Sequence, residues 1–308
     1  MTMQPITAQL VPRDGIYEPS GIQQLADGRF LVIEDEKDHP FSLITFDAHG
    51  QVTTTALSPG FFQAGGAVWK LDDLEGITAD QAGNIYALTS HSRNADGDNK
   101  KLRNKLARFR IDGHRITEPV VVGGLKQALS EAHPILAEAA ASGDAKSEGG
   151  LNMEALEISA DQQRLLVGFR SPLIDQRAIV ATITNPVGVF EQHAAPQISA
   201  VLDTLDLNGN GIRAMAYLQA LGGFLIVAGP PTRQGICFEL WFWNGKPGST
   251  ARRVSADGVP GFENTEGVSA ATVNGRQMVI LVSDDGDRDK GRCAHYRLLD
   301  LAQLQIAP

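Results

Sequence analysis

The sequence predicts an all-β fold, a single β-propeller of five four-stranded blades, and three observations carry that expectation. A pattern of short apolar strand, turn and stronger apolar strand recurs five times. Glycine is abundant, 32 of 308 residues, and falls mostly in turns between short apolar runs. The chain left over at the two ends, 19 residues before Ser20 and 42 after Glu266, adds up to one blade's length. Four-stranded units repeated in this number are what a propeller is built from.

The repeats open at Ser20, Glu75, Glu154, Arg213 and Glu266, 53 to 79 residues apart. Ser20-Gly-Ile-Gln-Gln is answered by Arg29-Phe-Leu-Val-Ile, and Glu75-Gly-Ile-Thr by Asn84-Ile-Tyr-Ala-Leu. Glu154-Ala-Leu-Glu-Ile is answered by Arg164-Leu-Leu-Val-Gly, Arg213-Ala-Met-Ala-Tyr by Gly223-Phe-Leu-Ile-Val, and Glu266-Gly-Val-Ser by Arg276-Gln-Met-Val-Ile-Leu. Turn residues such as Ala26-Asp27-Gly28 and Asn274-Gly275 separate the members of each pair. A third strand-like run follows each pair: Ser42–Asp47, Lys105–Asp112, Arg177–Ile183, Cys237–Trp243 and Arg292–Leu299. The strand-like Ile6–Val11 is then expected to complete the last blade and close the ring, which removes an exposed edge. The longest spacing holds an insertion, Leu125–Ser142, rich in Ala, Leu and Glu. Pro134 in its middle predicts two short helical turns or a kinked helix. No linker divides the chain, so one propeller domain is expected over residues 1–308.

Composition narrows the function. The chain carries 36 acidic against 27 basic residues, a net charge of −9, which argues against general affinity for nucleic acid or an anionic membrane. No apolar run approaches the ~20 residues of a membrane span. The start has no basic region followed by an apolar one, so no signal peptide is read and a cytoplasmic location is expected. Cys237 and Cys293 fit no zinc or redox spacing.

Antiparallel pairing places the openers of first strands and the ends of second strands on one face. The second strands end at Glu34-Asp35, Ser90-His91-Ser92-Arg93, Arg170-Ser171, Gly229-Pro230 and Ser283-Asp284-Asp285. That face therefore gathers Glu75, Glu154 and Glu266 near Arg213. With Arg213, the residues His91, Arg93, Arg170, Asp284 and Asp285 on that face are candidate ligand-binding residues for a small, anionic molecule. Carboxylates held together in a narrow funnel repel one another. A bound divalent cation, protonation of one glutamate, or arginine pairing relieves that repulsion. A cation such as Ca²⁺ or Mg²⁺ on Glu75, Glu154 and Glu266 is the first expectation, because hard cations take oxygen ligands. Asp206-Leu-Asn208-Gly-Asn210-Gly211 resembles half of a Ca²⁺ loop, but Tyr217 stands where such a loop needs Glu, so a tight turn is expected there. The chain contains no P-loop, nucleophile elbow, zinc-protease or dinucleotide motif.

Several boxes carry a resemblance: Asp73-Leu-Glu-Gly-Ile, Ser90-His-Ser-Arg, Gly168-Phe-Arg-Ser-Pro-Leu, Leu207-Asn-Gly-Asn-Gly-Ile-Arg, Ala228-Gly-Pro and Ser283-Asp-Asp-Gly. From about Glu18 to Asp287 the chain resembles a bacterial β-propeller family known as domain of unknown function thirty-six sixteen. That resemblance implies a fold and no established activity. The Glu-Gly openers look, more distantly, like those of gluconolactonase-type and phytase-like esterase propellers. In such lactonases Glu, Asn and Asp hold a divalent metal on the axis, and Glu75, Glu154 or Glu266 would take the Glu role. Two classes stay open: a metal-dependent hydrolase of a small ester, lactone or phosphoester, and a non-catalytic binding module for a small anion or a protein partner.

Overall fold

Backbone N–H and C=O groups of an apolar run must be paired once buried, and adjacent runs joined by short turns pair antiparallel. A computed structural model shows the outcome and describes residues 6–9, 15–35, 39–47, 51–59, 66–94, 96–142, 149–232 and 238–308. Strand β1 (Ile6–Gln9) precedes the first blade. Blade one runs β2 (Pro19–Gln24), β3 (Phe30–Glu34), β4 (Phe41–Phe46), β5 (Val52–Ala56), paired in that order. Blade two is β6 (Leu74–Ala79), β7 (Ile85–Thr89), β8 (Leu106–Asp112) and β9 (Arg115–Val122). The insertion follows as α1 (Leu125–Ala132) and α2 (Pro134–Ala141). Pro134 opens α2, where a missing N–H leaves no helical bond unmade, so the helical stretch breaks in two there.

Blade three is β10 (Asn152–Ile158), β11 (Leu165–Ser171), β12 (Ala178–Ile183) and, after the short α3 (Pro186–Glu191), β13 (Asp203–Leu205). Blade four is β14 (Gly211–Leu218), β15 (Gly223–Gly229), β16 (Glu239–Trp243) and β17 (Arg252–Ala256). Blade five is β18 (Thr265–Val273), β19 (Arg276–Ser283) and β20 (His295–Asp300), and β1 supplies its fourth strand, pairing Ile6 with Leu298 and Gln9 with His295. The ring closes through the N-terminal strand, as the residue count predicts. Leu10 and Val11 of that expected strand, and Cys237 of the expected third strand in blade four, lie outside the described residues.

One assignment differs. The sequence count gives all residues after Glu266 to the last blade, but β21 (Leu304–Ile306) crosses to blade four and pairs with β17, making that sheet five-stranded. Asp300 ends β20 and caps the turn that follows, its side chain accepting from the Ala302 N–H at 3.0 Å, and the chain is redirected there.

The five inner strands touch in a closed cycle, β2 to β6 to β10 to β14 to β18 and back to β2. Apolar side chains fill the seams between blades. Between blades one and two, Phe41 meets Phe109 edge-on at 5.4 Å and Trp69 at 5.5 Å. Trp243, 1% exposed, packs against Phe224 in the seam between blades three and four. Such seams supply the main stabilisation, at about 1.5–3 kcal/mol per large apolar side chain buried. No helix among the described residues is long and apolar enough to cross a membrane.

Candidate functional site

Each inner strand carries a register shift at the same level, between Pro19 and Gly21, Leu74 and Gly76, Met153 and Ala155, Ile212 and Ala214, and Thr265 and Gly267. The extra residues are Ser20, Glu75, Glu154, Arg213 and Glu266, the five repeat openers. A bulge bends a strand and re-aims one side chain. Five bulges in register therefore turn one polar residue per blade onto a common ring. The residue after each bulge is Gly or Ala, because the inner strands meet there. A Cβ at Gly76 would lie 2.7 Å from the Leu156 nitrogen, and one at Gly267 would lie 3.0 Å from the Gly21 Cα. The resulting throat on the axis has a volume of about 10 Å³, room for little more than one water.

Arg213 ties its own blade, the fourth, to the third and the fifth. Its Nε–H donates to Glu266 Oε2 at 3.0 Å, and its Nη2 donates to Glu266 Oε1. Glu154 Oε2 lies 2.8 Å from the same Nε, but off the N–H line, so this contact is an ion pair without a hydrogen bond. Glu154 Oε1 accepts from Arg170 Nη1 at 3.1 Å and Asn152 Nδ2 at 2.7 Å. Arg170 Nε reaches the Pro230 carbonyl at 3.1 Å. Glu154, Arg213 and Arg170 are all buried, at 3%, 7% and 9% exposure. Arg213 Nη1 is buried without a hydrogen-bond partner among the described residues, and its guanidinium lies 5.6 Å over the Phe238 ring.

Burial pushes the Glu266 carboxyl up to about 7, Arg213 opposes that rise, and Glu154 adds to it. The fork to Arg213 uses both oxygens as acceptors, so Glu266 is ionised wherever that fork is intact. For Arg213, burial favours loss of charge, but Glu154 and Glu266 outweigh it and raise its pKa.

Glu75 differs from its neighbours. It has no hydrogen-bond or ion-pair partner among the described residues, and it lines the throat. Burial first, then Glu154, Asp73, Asp35 and Glu266, hold its carboxyl well above the usual range. Exposed area alone makes Glu75 half-buried. Depth governs its acidity, because a throat this narrow solvates a carboxylate poorly.

The other expected residues divide into separate groups. Arg93 donates from Nη1 to the Gly97 carbonyl at 2.9 Å. His91 is fully buried; its Nδ1 lies 2.7 Å from the Thr89 carbonyl, and burial pushes its pKa down to about 4, so the ring is neutral. Asp284 lies near enough to Glu266 to raise its pKa, whereas Asp285 faces His295, with Oδ2 2.8 Å from Nδ1. Asp73 accepts from Ser90 and from Ser92, and pairs with Arg103 at 3.1 Å. Sequence reasoning does not single out Asn152, Arg103, Lys126 or His295. Asn152 was within reach of it, standing two places before the Glu154 bulge. His295 reaches Asp285 only through the β20 register. The Asp206–Gly211 segment is a turn, with Asn208 at φ 59° and its N–H on Asp206 Oδ1 at 3.1 Å.

The donor set bears on the expected cation. Glu266 is forked by Arg213, and both Glu154 oxygens face arginine, so only Glu75 keeps free oxygens. Among the described residues no three His, Cys, Asp or Glu side chains form a group that could hold a metal ion. The ring as folded does not fit a resident divalent metal.

No protein-family model and no curated protein matches the sequence. Solved structures do resemble the fold. A streptogramin B lyase is 11% identical over 99% of this chain and 98% of its own, with a TM-score of 0.42. A gluconolactonase from Xanthomonas campestris is 13% identical over 98% and 86%, with a TM-score of 0.42. A Trypanosoma rangeli sialidase is 8% identical over 98% of this chain and 60% of its own, with a TM-score of 0.47. At such identities no activity passes from those proteins to this one.

Proposed function

We propose that the bulge ring is an active site that hydrolyses a small ester, lactone or phosphoester by acid–base chemistry, with Glu75 as the proton-transfer group. One observation carries this reading: among the described residues Glu75 is the ring carboxyl without a hydrogen-bond or ion-pair partner, it lines the throat, and burial and its carboxylate neighbours raise its pKa well above the usual range. A neutral carboxyl there gives its proton to a leaving oxygen and recovers it from the attacking water. A general acid of this kind contributes typically about 10²–10⁴-fold. Arg170 and Arg213 pair with Glu154 and Glu266 beside it, and burial first, then those neighbouring carboxylates, raise the Glu75 pKa. No step runs through a metal. The Ser90-His-Ser-Arg and Gly168-Phe-Arg-Ser-Pro-Leu boxes stand at second-strand ends on this face, so the family resemblance belongs to the same proposal.

Glu75→Gln tests it, because Gln copies the shape and neutrality of the protonated side chain. On a panel of small lactones, aryl esters and phosphoesters, kcat should fall at least about 100-fold while the fold is kept. Equal turnover in the variant removes Glu75 from the chemistry. The second reading, a non-catalytic module for a small anion or protein partner, has the partnerless Arg213 Nη1 in its favour. It wins if the wild type turns over nothing on the panel.

A further inference from the structure

Beyond the ring lies a second gathering of charge, and it is positive. Lys126, in the first turn of α1, donates from Nζ to the His91 carbonyl at 2.9 Å. Arg93 donates from Nη1 to the Gly97 carbonyl, and its Nε is buried without a hydrogen-bond partner among the described residues. Neither side chain has an ion-pair partner among the described residues, whereas both ring arginines hold carboxylates. The His91 bond sets the Lys126 ammonium at the backbone two residues before Arg93, and burial, then the Arg93 charge, push that ammonium down to about 8. Two partly desolvated cations without a counter-ion are unfavourable, and an anion between them removes that cost.

The local backbone is arranged around this pair. His91 holds φ at 56°, a conformation a non-glycine residue adopts at some cost. Its carbonyl is the acceptor that fixes Lys126. The box also abuts the ring, since the Ser90 carbonyl accepts the N–H of Met153, next to Glu154, at 2.9 Å. Arg93 offers planar forked donors and Lys126 a mobile point charge, a combination suited to an oxyanion. A net charge of −9 makes indiscriminate anion binding elsewhere on the molecule unfavourable.

We propose that Arg93 and Lys126 form an oxyanion subsite beside the ring, which takes a phosphate or carboxylate group. That this group belongs to the substrate rests on the proposed hydrolase; the binding of an anion does not. The insertion after blade two then has a use, because α1 carries the second cation to the rim.

The test is calorimetric titration of the full chain with inorganic phosphate and, separately, with succinate, at ionic strength fixed with NaCl. Saturable binding of phosphate points to a phosphorylated substrate, and of succinate to a carboxylated one. Arg93→Gln and Lys126→Gln should each weaken binding at least about tenfold, the loss of one charge-assisted bond. Lys126→Arg should keep it, and Glu75→Gln should bind as the wild type does. Melting without anion checks that each variant is folded. Wild-type binding in Arg93→Gln and Lys126→Gln, or no saturable binding of either anion by the wild type, overturns the subsite. Intact phosphate binding with no turnover anywhere overturns the hydrolase and leaves the subsite standing.

Discussion

Glu154 and Glu157 stand on the same strand, β10, and both are buried, at 3% and 6% exposure. Their partners differ completely. Glu154 meets Arg170, Arg213 and Asn152. Glu157 meets neutral donors: Thr78 Oγ1 at 2.8 Å, the Ile158 N–H at 3.0 Å and the backbone of Tyr217. Burial pushes the Glu157 carboxyl up to about 8, with those donors opposing the rise. The contrast teaches that residue type and burial do not decide whether a buried glutamate carries charge; its partners do. Glu154 sits in a bulge that points it at the ring. Glu157 follows regular pairing with Leu166 and ties together the inner strands of blades two, three and four.

The largest effect that could break this comparison is loss of the Glu154 charge. Glu154→Leu leaves Arg170 without its carboxylate partner and Arg213 with only Glu266. Removing one member of a buried ion pair typically destabilises by about 3–5 kcal/mol, readable from urea unfolding. If Glu154→Leu unfolds at the wild-type urea concentration, the arginine network is not what sets Glu154 apart.

Glu157 should show the opposite sign and a pH dependence. Its folded pKa, about 8, lies above the ordinary value of 4.5. Above pH 4.5 the unfolded chain releases this proton while the folded chain retains it. Stability therefore falls as pH rises from about 4.5 to about 8, and then levels off. The full span is about 5 kcal/mol by the size of the shift. Glu157→Gln cannot ionise, so it should gain stability on the wild type through that window and lie above it at pH 8.5. Parallel stability curves for the two proteins from pH 5 to 8.5 would mean that Glu157 is already ionised in the fold.

The same contrast explains what could be read from the chain. The five bulge residues are legible because each opens a repeat, and repeat position fixes height on the axis. Ile6–Gln9 is legible as the closing strand because the residue count leaves it one place to go. Glu157 is not legible: it is a polar residue on an alternating strand, and only the neighbours from other blades show that it is buried. The destination of β21 is hidden for a similar reason, since three residues after Asp300 fit either blade and the capped turn decides. The pairing of Arg170 and Arg213 with Glu154, rather than with a ligand, depends on which way long side chains point. Lys126 escapes notice because it lies inside the helical insertion, separated from Arg93 in the chain by β8 and β9.

Glu75→Gln sharpens the comparison from a third position. Glu75 has the raised acidity of Glu157 but none of its hydrogen bonds. Replacing an already neutral carboxyl should change stability at pH 7 by no more than about 0.5 kcal/mol, with any gain appearing at higher pH. A loss of several kcal/mol, seen in urea unfolding, would mean that Glu75 is ionised and helps hold Arg213.

The smallest expected effect is that of metal. On composition, Glu75, Glu154 and Glu266 invite a hard cation. In place, an arriving divalent ion would face the Arg213 guanidinium between Glu154 and Glu266, and would gain Glu75 only by displacing its proton. Both requirements oppose binding, so EDTA and millimolar Ca²⁺ or Mg²⁺ should leave the wild-type Tm unchanged within about 1 °C. Glu154→Gln is the informative partner. It frees Arg213 from one carboxylate and removes one candidate ligand, so it should respond to metal no more than the wild type does. A wild-type Tm raised several degrees by Ca²⁺, with the rise lost in Glu154→Gln, would mean that the arginines yield to a cation. Glu154 would then be a metal ligand, with Glu75 and Glu266 beside it, and its contrast with Glu157 would be one of ion binding in place of ion pairing.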